Sequence, residues 1–478
     1  MVFSGLHHTG VALQKFRAII ADGKTRKTSE DIAMLYTNKD LKKLIVPLVF
    51  EQLLAILVGM VDTVMIAGVG EAAVSGVSLV DTVNILIINI TAALATGGAV
   101  VAGHFLGQKD SKNASRSAWQ LVLFSLWLSI AVTILFLAAH RPMLRAIFGQ
   151  VEPAVMESAS TYLVITAISI CPLAVYNACA ALFRAMSDSK TTMLIAIAMN
   201  LINLVGNAIL IYGAKIGVAG AAIATTISRI VAAGIIMSLM FHSDRVINFR
   251  GQATWKMDFE LIKKILYIGV PNGLENSLFQ LGKILLLSLI STFGTYAIAA
   301  NAVCNTLASF NVLPGQAINL ALLSVASVCI GAGDYKQARY YTKKLMLITI
   351  ACTAIISVIM CVFAPWIMKI YQLTPQTERL AVQVIRWHTV LAVIFWVPSF
   401  TLPNTLRAAG DVVWTMFIAI ASMWCFRIGF AYLLSRHFQG GLMGVWIAMT
   451  IDWAFRALCY MVRYRGNKWE HSMKASGA

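Results

Sequence analysis

Residues 47–63 read Pro47-Leu-Val-Phe-Glu51-Gln-Leu-Leu-Ala-Ile-Leu-Val-Gly59-Met-Val-Asp62-Thr63. The run is apolar enough for a membrane-spanning helix, yet it carries two carboxylates and no cation. A charged carboxylate at mid-bilayer costs at least ~2.5–3.5 kcal/mol on insertion scales, so such residues usually face a cavity or a partner. Eleven residues separate Glu51 from Asp62, which at about 3.6 residues per turn places both on nearly one helix face.

The rest of the chain agrees with a membrane setting. Of 478 residues, 59% are hydrophobic and 12% charged, and the mean hydropathy is +0.77. Soluble domains carry about 25% charged residues, and one soluble core cannot absorb this excess. Twelve segments are long and apolar enough to span, near 44–68, 77–103, 118–140, 155–183, 190–212, 217–241, 262–291, 300–329, 344–367, 381–404, 413–435 and 441–463. The fold class is therefore an all-α polytopic membrane protein with 12 transmembrane helices.

The net charge of +17 invites a nucleic-acid reading, but the positions of the cations decide otherwise. With the N-terminus inside, 27 Lys and Arg fall in cytoplasmic segments and 7 on the opposite side. That bias places both termini in the cytoplasm and removes the need for a nucleic-acid partner. Residues 1–43 lack an apolar core with a cleavage site, so they read as a basic cytoplasmic tail rather than a signal peptide. Apolar residues within it (Val11, Phe16, Ala18) suit the membrane surface.

The polar stretch 242–261 divides two copies of one unit. Pro47-x-x-x-Glu51 recurs as Pro271-x-x-x-Glu275, and Gly107-Gln-Lys-Asp110 as Gly331-Ala-Gly-Asp334, both at an offset of 224. Leu182-Phe-Arg184-Ala-Met-Ser-Asp188 recurs as Leu406-Arg407-Ala-Ala-Gly-Asp411, and Gly217-Val-Ala-Gly220 as Gly441-Leu-Met-Gly444. Shared apolar composition does not generate matches in register across spans and loops, so the chain is an internal duplication. Six spans per copy give both copies one orientation, a parallel repeat of two pseudo-symmetric six-helix bundles. The expected lobes are 44–241 and 262–463, with 464–478 a C-terminal cytoplasmic tail. Arg184 with Asp188 and Arg407 with Asp411 read as water-facing turns.

Asp62 has Leu286 as its copy, so the duplication alone does not require an acid there. Glu51 and Glu275 are a duplicated pair, expected to face each other across a central cleft and attract cations. Asn200, Asn203, Asn207 and Thr225 supply amide and hydroxyl oxygens, and Asn203 and Asn207 share a face. With one carboxylate they form an oxygen set that sodium accepts; interhelical hydrogen bonding explains them equally well. Lys283 stands alone in its span and is expected to neutralise Glu275 or Asp62 or to sit in the cleft. Asp452 and Arg456 are spaced to pair locally. No phosphate-cradling loop and no Ser/His/Asp cluster occurs, so neither an ATP-driven pump nor an enzyme is expected.

The set Pro47…Val61-Asp62-Thr63, Gly107-Gln-Lys-Asp110, Arg184-Ala-Met-Ser-Asp188, Asn203-Leu-Val-Gly-Asn207 and Gly217-Val-Ala-Gly220…Thr225 resembles the multidrug and toxic compound extrusion (MATE) transporters over residues 40–465. The resemblance implies a V-shaped two-lobed fold in the inner membrane that exports organic cations in exchange for protons or sodium, without a cofactor. It implies that Asp62, Asn203, Asn207 and Thr225 form the coupling site, with Na+ taken at Asp62, Asn203 and Thr225. Pro47 corresponds to the proline at which the first helix bends in some members. Asn207 stands where several members carry a second carboxylate, so the site holds one less negative charge. Glu275 sits about one turn earlier than the glutamate of NorM-like members and span 381–404 has no acid, so the resemblance does not extend to a sodium site in the second lobe. The expected partners are the bilayer and a cationic amphiphilic small molecule, with the chain a monomer. A flippase for lipid-linked precursors and a non-transporting receptor or scaffold are the competing readings.

Overall fold

The computed structural model describes residues 34–149 and 152–472; the tail reading for residues 1–33 lies outside them. The chain divides into Met1–Leu35 and Tyr36–Ala478, and the second unit is described here. Among the described residues, twelve helical spans follow one another with no strand. They are α1 (Asn38–Ala67), α2 (Glu71–Gly107), α3 (Ser111–Ile147), α4 (Pro153–Ile168 with Ile170–Ala185), α5 (Ser189–Gly213) and α6 (Gly217–Met240). The second copy supplies α7 (Phe259–Ser291), α8 (Thr295–Gly331), α9 (Tyr335–Ile370), α10 (Pro375–Ala408), α11 (Val412–His437) and α12 (Gly441–Arg465).

The helices overrun the apolar stretches because their caps lie in polar sequence. Thr37 and Asp40 form a capping box: the Asp40 amide donates to Thr37 Oγ1 at 3.2 Å and the Thr37 amide to Asp40 Oδ2 at 2.9 Å. That cap starts α1 at Asn38 and winds Lys39, Lys42 and Lys43 into its first turns. α1 then passes through Pro47 as one unbroken helix.

The recurring aspartates turn out to be caps. Asp110, Asp188 and Asp334 each accept a backbone amide three residues on, from Asn113 (3.0 Å), Thr191 (3.2 Å) and Gln337 (2.8 Å). Each follows a residue in the left-handed region, Lys109 (φ 60°), Ser187 (φ 64°) or Gly333 (φ 76°), which reverses the chain into the next helix. The Asn113 amide holds the Asp110 carboxyl below the usual range. Burial pushes the Asp188 carboxyl up, but the bonds from Thr191 and Arg245 outweigh it, so the net shift is downward. Asp411 occupies the fourth such turn after Gly410 (φ 80°) and binds Arg463 through both oxygens at 2.7 and 3.0 Å.

Two irregularities matter for the sites. α4 bends by 49° at Ser169, and π-helical turns occur at Ala208–Gly213, Ala392–Trp396, Met423–Gly429 and Leu433–His437. The π turns at Ala208–Gly213 and Leu433–His437 occupy matching places in the two copies.

Three apolar cores place the copies. One is shared: Leu94, Val100 and Val101 of α2 pack with Ile265 and Ile268 of α7 and with Ala317, Ile318 and Leu322 of α8. Close crossing is possible because glycine lines the contact. A Cβ on Gly107 would strike the Val328 carbonyl, and one on Gly331 would strike the His104 carbonyl. These are two views of one pseudo-symmetric contact, since 107 and 104 map to 331 and 328. His104 Nε2 adds a 2.7 Å bond to the Ala408 carbonyl across the copies. Toward the other ends of these helices each copy keeps its own core, around Met65, Val80 and Leu163 in the first and Leu289, Cys304 and Ala448 in the second. The copies are joined at the end where α1 begins and α12 finishes and are separately packed at the Asp62 end.

Candidate functional site

The Asp62 end of α1 faces α5 and α6. Asn207 Nδ2 donates to Asp62 Oδ1 at 2.9 Å. Neighbouring groups orient the Asn203 amide so that its nitrogen lies 3.0 and 3.1 Å from the two Asp62 oxygens while its oxygen accepts from Thr225 Oγ1 at 3.1 Å. Asn203 and Asn207 are buried and Asp62 is half-buried. Among the described residues Asp62 has no ion-pair partner. Its carboxylate is held by two amides instead.

These side chains line a cavity of about 270 Å³ shared with Asp81, Tyr162, Asn200, Ser228 and Arg229. Arg229 donates through Nη1 to Ser169 Oγ at 2.7 Å, tying the cavity wall to the bend in α4. Sequence reasoning missed Asp81, Tyr162 and Arg229. A signal was there: Asp81 maps to Asn305 and Arg229 to Trp453, the same loss of charge between copies that singled out Asp62.

The glutamates require a correction. Glu51 and Glu275 do not face each other as free acids; each pairs with an arginine of its own copy. Glu275 accepts Arg407 Nη2 on both oxygens, at 2.7 and 2.9 Å. Glu51 lies 3.8 Å from Arg184 Nη1 and accepts from Thr192 Oγ1 at 3.0 Å. Arg184 and Arg407 therefore turn into their bundles instead of toward water. The physical reason is that a carboxylate sunk in apolar surroundings is tolerated when a cation neutralises it, and the duplication copied both partners together.

Lys283 pairs with neither Glu275 nor Asp62. It lines a second cavity of about 320 Å³ in the second copy, with Asn301, Asn305, Arg427 and Trp446. Asp452 and Arg456 do pair, at 2.8 Å.

Twelve apolar spans, an internal duplication and polar cavities at the separated end define a multi-pass membrane transporter. The MatE family model matches residues 47–209 and 271–433, two stretches related by the 224-residue offset of the repeat. The chain belongs to the MatE family of multidrug efflux transporters. It is 26% identical over 440 residues to the "Probable multidrug resistance protein NorM" of Thermotoga maritima, covering 91% of this chain and 93% of the relative. It is likewise 26% identical over 432 residues to the "Uncharacterized transporter YisQ" of Bacillus subtilis, covering 88% and 93%. A solved structure described as the outward-facing conformation of a multidrug resistance MATE family transporter matches with a TM-score of 0.85 at 21% identity, over 94% of this chain and all of that one. That likeness carries the fold alone.

Proposed function

We propose that the protein is an antiporter that expels cationic amphiphilic molecules across the inner membrane in exchange for cations taken at Asp62. One observation carries the reading: a half-buried carboxylate on α1 is held by Asn203 and Asn207 in a polar cavity with no salt bridge. A carboxylate without a fixed cation is free to take up a mobile one.

The two coupling ions make different demands on these amides. Both amides present N–H to Asp62, which suits a charged acceptor. Protonation needs the carboxylate alone, whereas sodium needs the Asn203 and Asn207 oxygens turned inward beside that of Thr225. The positive bias of the side where α1 begins and α12 finishes supports a cytoplasmic position for that side, on which reading the joined ends of the copies face inward and the Asp62 end faces outward.

Expression of Asp62→Asn in cells loaded with ethidium tests the proposal. The variant is expected to reach the membrane at wild-type levels and to lose gradient-driven efflux. Efflux near the wild-type rate would overturn the reading. The flippase alternative draws support from Lys283 and Arg427, since cations in a cavity suit an anionic cargo.

A further inference from the structure

The two cavities occupy the same place in the two copies. At the 224 offset Asp62 becomes Leu286, Gly59 becomes Lys283, Asp81 becomes Asn305, and Asn203 becomes Arg427. The repeat has thus kept the hollow and changed its charge: two acids, Asp62 and Asp81, line it with Arg229 in the first copy, and two bases without an acid line it in the second.

The bases exceed what the protein itself neutralises. Phe279 is surrounded by three cations, with Lys283 Nζ 5.2 Å, the Arg427 guanidinium 5.0 Å and the Arg456 guanidinium 5.5 Å from its ring centre. Among the described residues one carboxylate, Asp452, serves them. Asp452 accepts from Arg456 Nε at 2.8 Å and stands 3.7 Å from Arg427 Nη1, too long for a hydrogen bond. Arg427 is 8% exposed, its Nε is buried with no acceptor, and among the described residues its guanidinium donates no hydrogen bond. Lys283 forms neither an ion pair nor a hydrogen bond among them.

A buried guanidinium with five donors and no acceptor is a costly arrangement unless a ligand supplies one. The site is built for more than a point charge. Asn301 Oδ1 accepts from Trp446 Nε1 at 3.2 Å, which fixes the amide and leaves its NH2 group to donate. Trp446, Met449 and Ile290 give the remaining wall an apolar, partly aromatic character. Arg427 reaches the hollow from the π turn Met423–Gly429, which widens α11 there.

We infer that the cavity of the second copy binds the carboxylate of an organic anion or zwitterion, with Lys283 and Arg427 on the charged group and Trp446 against its apolar body. The inference deepens the transporter reading by adding a class of cargo, but the binding itself does not depend on ion coupling at Asp62.

The purified full chain in detergent, titrated calorimetrically with 1-naphthoate, inorganic phosphate and 1-naphthylmethylammonium, tests it. Wild type is expected to bind naphthoate, Lys283→Met at least tenfold more weakly, and Lys283→Arg within threefold of wild type. Melting curves matching wild type confirm that each variant is folded. Asp62→Asn is expected to keep naphthoate binding, so failure of the coupling proposal and failure of this one are told apart. No naphthoate binding to wild type, equal binding to Lys283→Met, or binding of phosphate without naphthoate would each overturn the assignment.

Discussion

Asp62 and Glu51 sit on one face of α1 and look alike in the sequence, yet their surroundings give them different work. Glu51 and Glu275 are each matched to an arginine in their own copy. Removing one partner of such a buried pair strands the other charge, at a cost of about 3–5 kcal/mol. Glu275→Gln is therefore expected to lower the chain's stability by roughly 3 kcal/mol, read as a large drop in melting temperature. A melting temperature unchanged from wild type would refute the structural role. That Asn203 and Asn207 share a face was legible from their spacing, and that Asp62 is special from its copy Leu286; that the amides and Asp62 meet was implied only by the resemblance to the MATE transporters. The arginine partners were not legible, because Arg184 and Arg407 border short turns, and sequence order cannot say whether such a side chain turns to water or into the bundle.

Among elements, the turns at Asp110, Asp188 and Asp334 are side-chain caps, while Asp411 holds the same N-cap position and binds Arg463 instead, so the recurrence needs no transport chemistry to explain it. The copies differ at the residue before the capping aspartate, Ser187 in one and Gly410 in the other, both at positive φ. A side chain there pays the left-handed penalty of about 1 kcal/mol, which glycine avoids. Ser187→Gly is expected to be neutral or stabilising and Gly410→Ser destabilising by about 1 kcal/mol, checked by thermal unfolding in detergent. The Asp188 cap also has a pH signature. Its carboxyl lies lower folded than unfolded, so its stabilising contribution is complete above the unfolded pKa of about 3.9 and is lost as pH falls through the lower folded value. Asp188→Asn should flatten stability in that acid range and leave it unchanged in shape near pH 7. Hydropathy disclosed every span, since ~20 apolar residues have few alternatives. It did not disclose the bend at Ser169, where Arg229 donates to the Ser169 hydroxyl, or the π turns, which leave no mark in composition.

At the scale of the whole molecule, the copies share a core at one end and separate at the other, which is the geometry an alternating transporter needs. The seal depends on backbone contact where α2 and α8 cross at Gly107 and Gly331. Gly107→Leu should hold that end open. Spin labels at the exposed Lys112 and Lys336, in a background lacking the native cysteines, should report a longer distance in the variant than in wild type; equal distances would count against the seal. The duplication made this architecture legible, because six-span copies in one orientation leave few arrangements. The gathering of uncompensated bases in the second cavity was not legible. Lys283 and Arg427 lie on different helices, and only folding shows that they meet around Phe279 and correspond to Gly59 and Asn203. The central claim, that ion entry at Asp62 drives export, is tested most directly in proteoliposomes holding wild type or Asp62→Asn, with ethidium movement followed under an imposed proton gradient and then an imposed sodium gradient. Wild type should move ethidium in exchange for the coupling ion, under the proton gradient, the sodium gradient or both, and Asp62→Asn should move it with neither. Equal gradient-driven transport by wild type and Asp62→Asn would contradict the account.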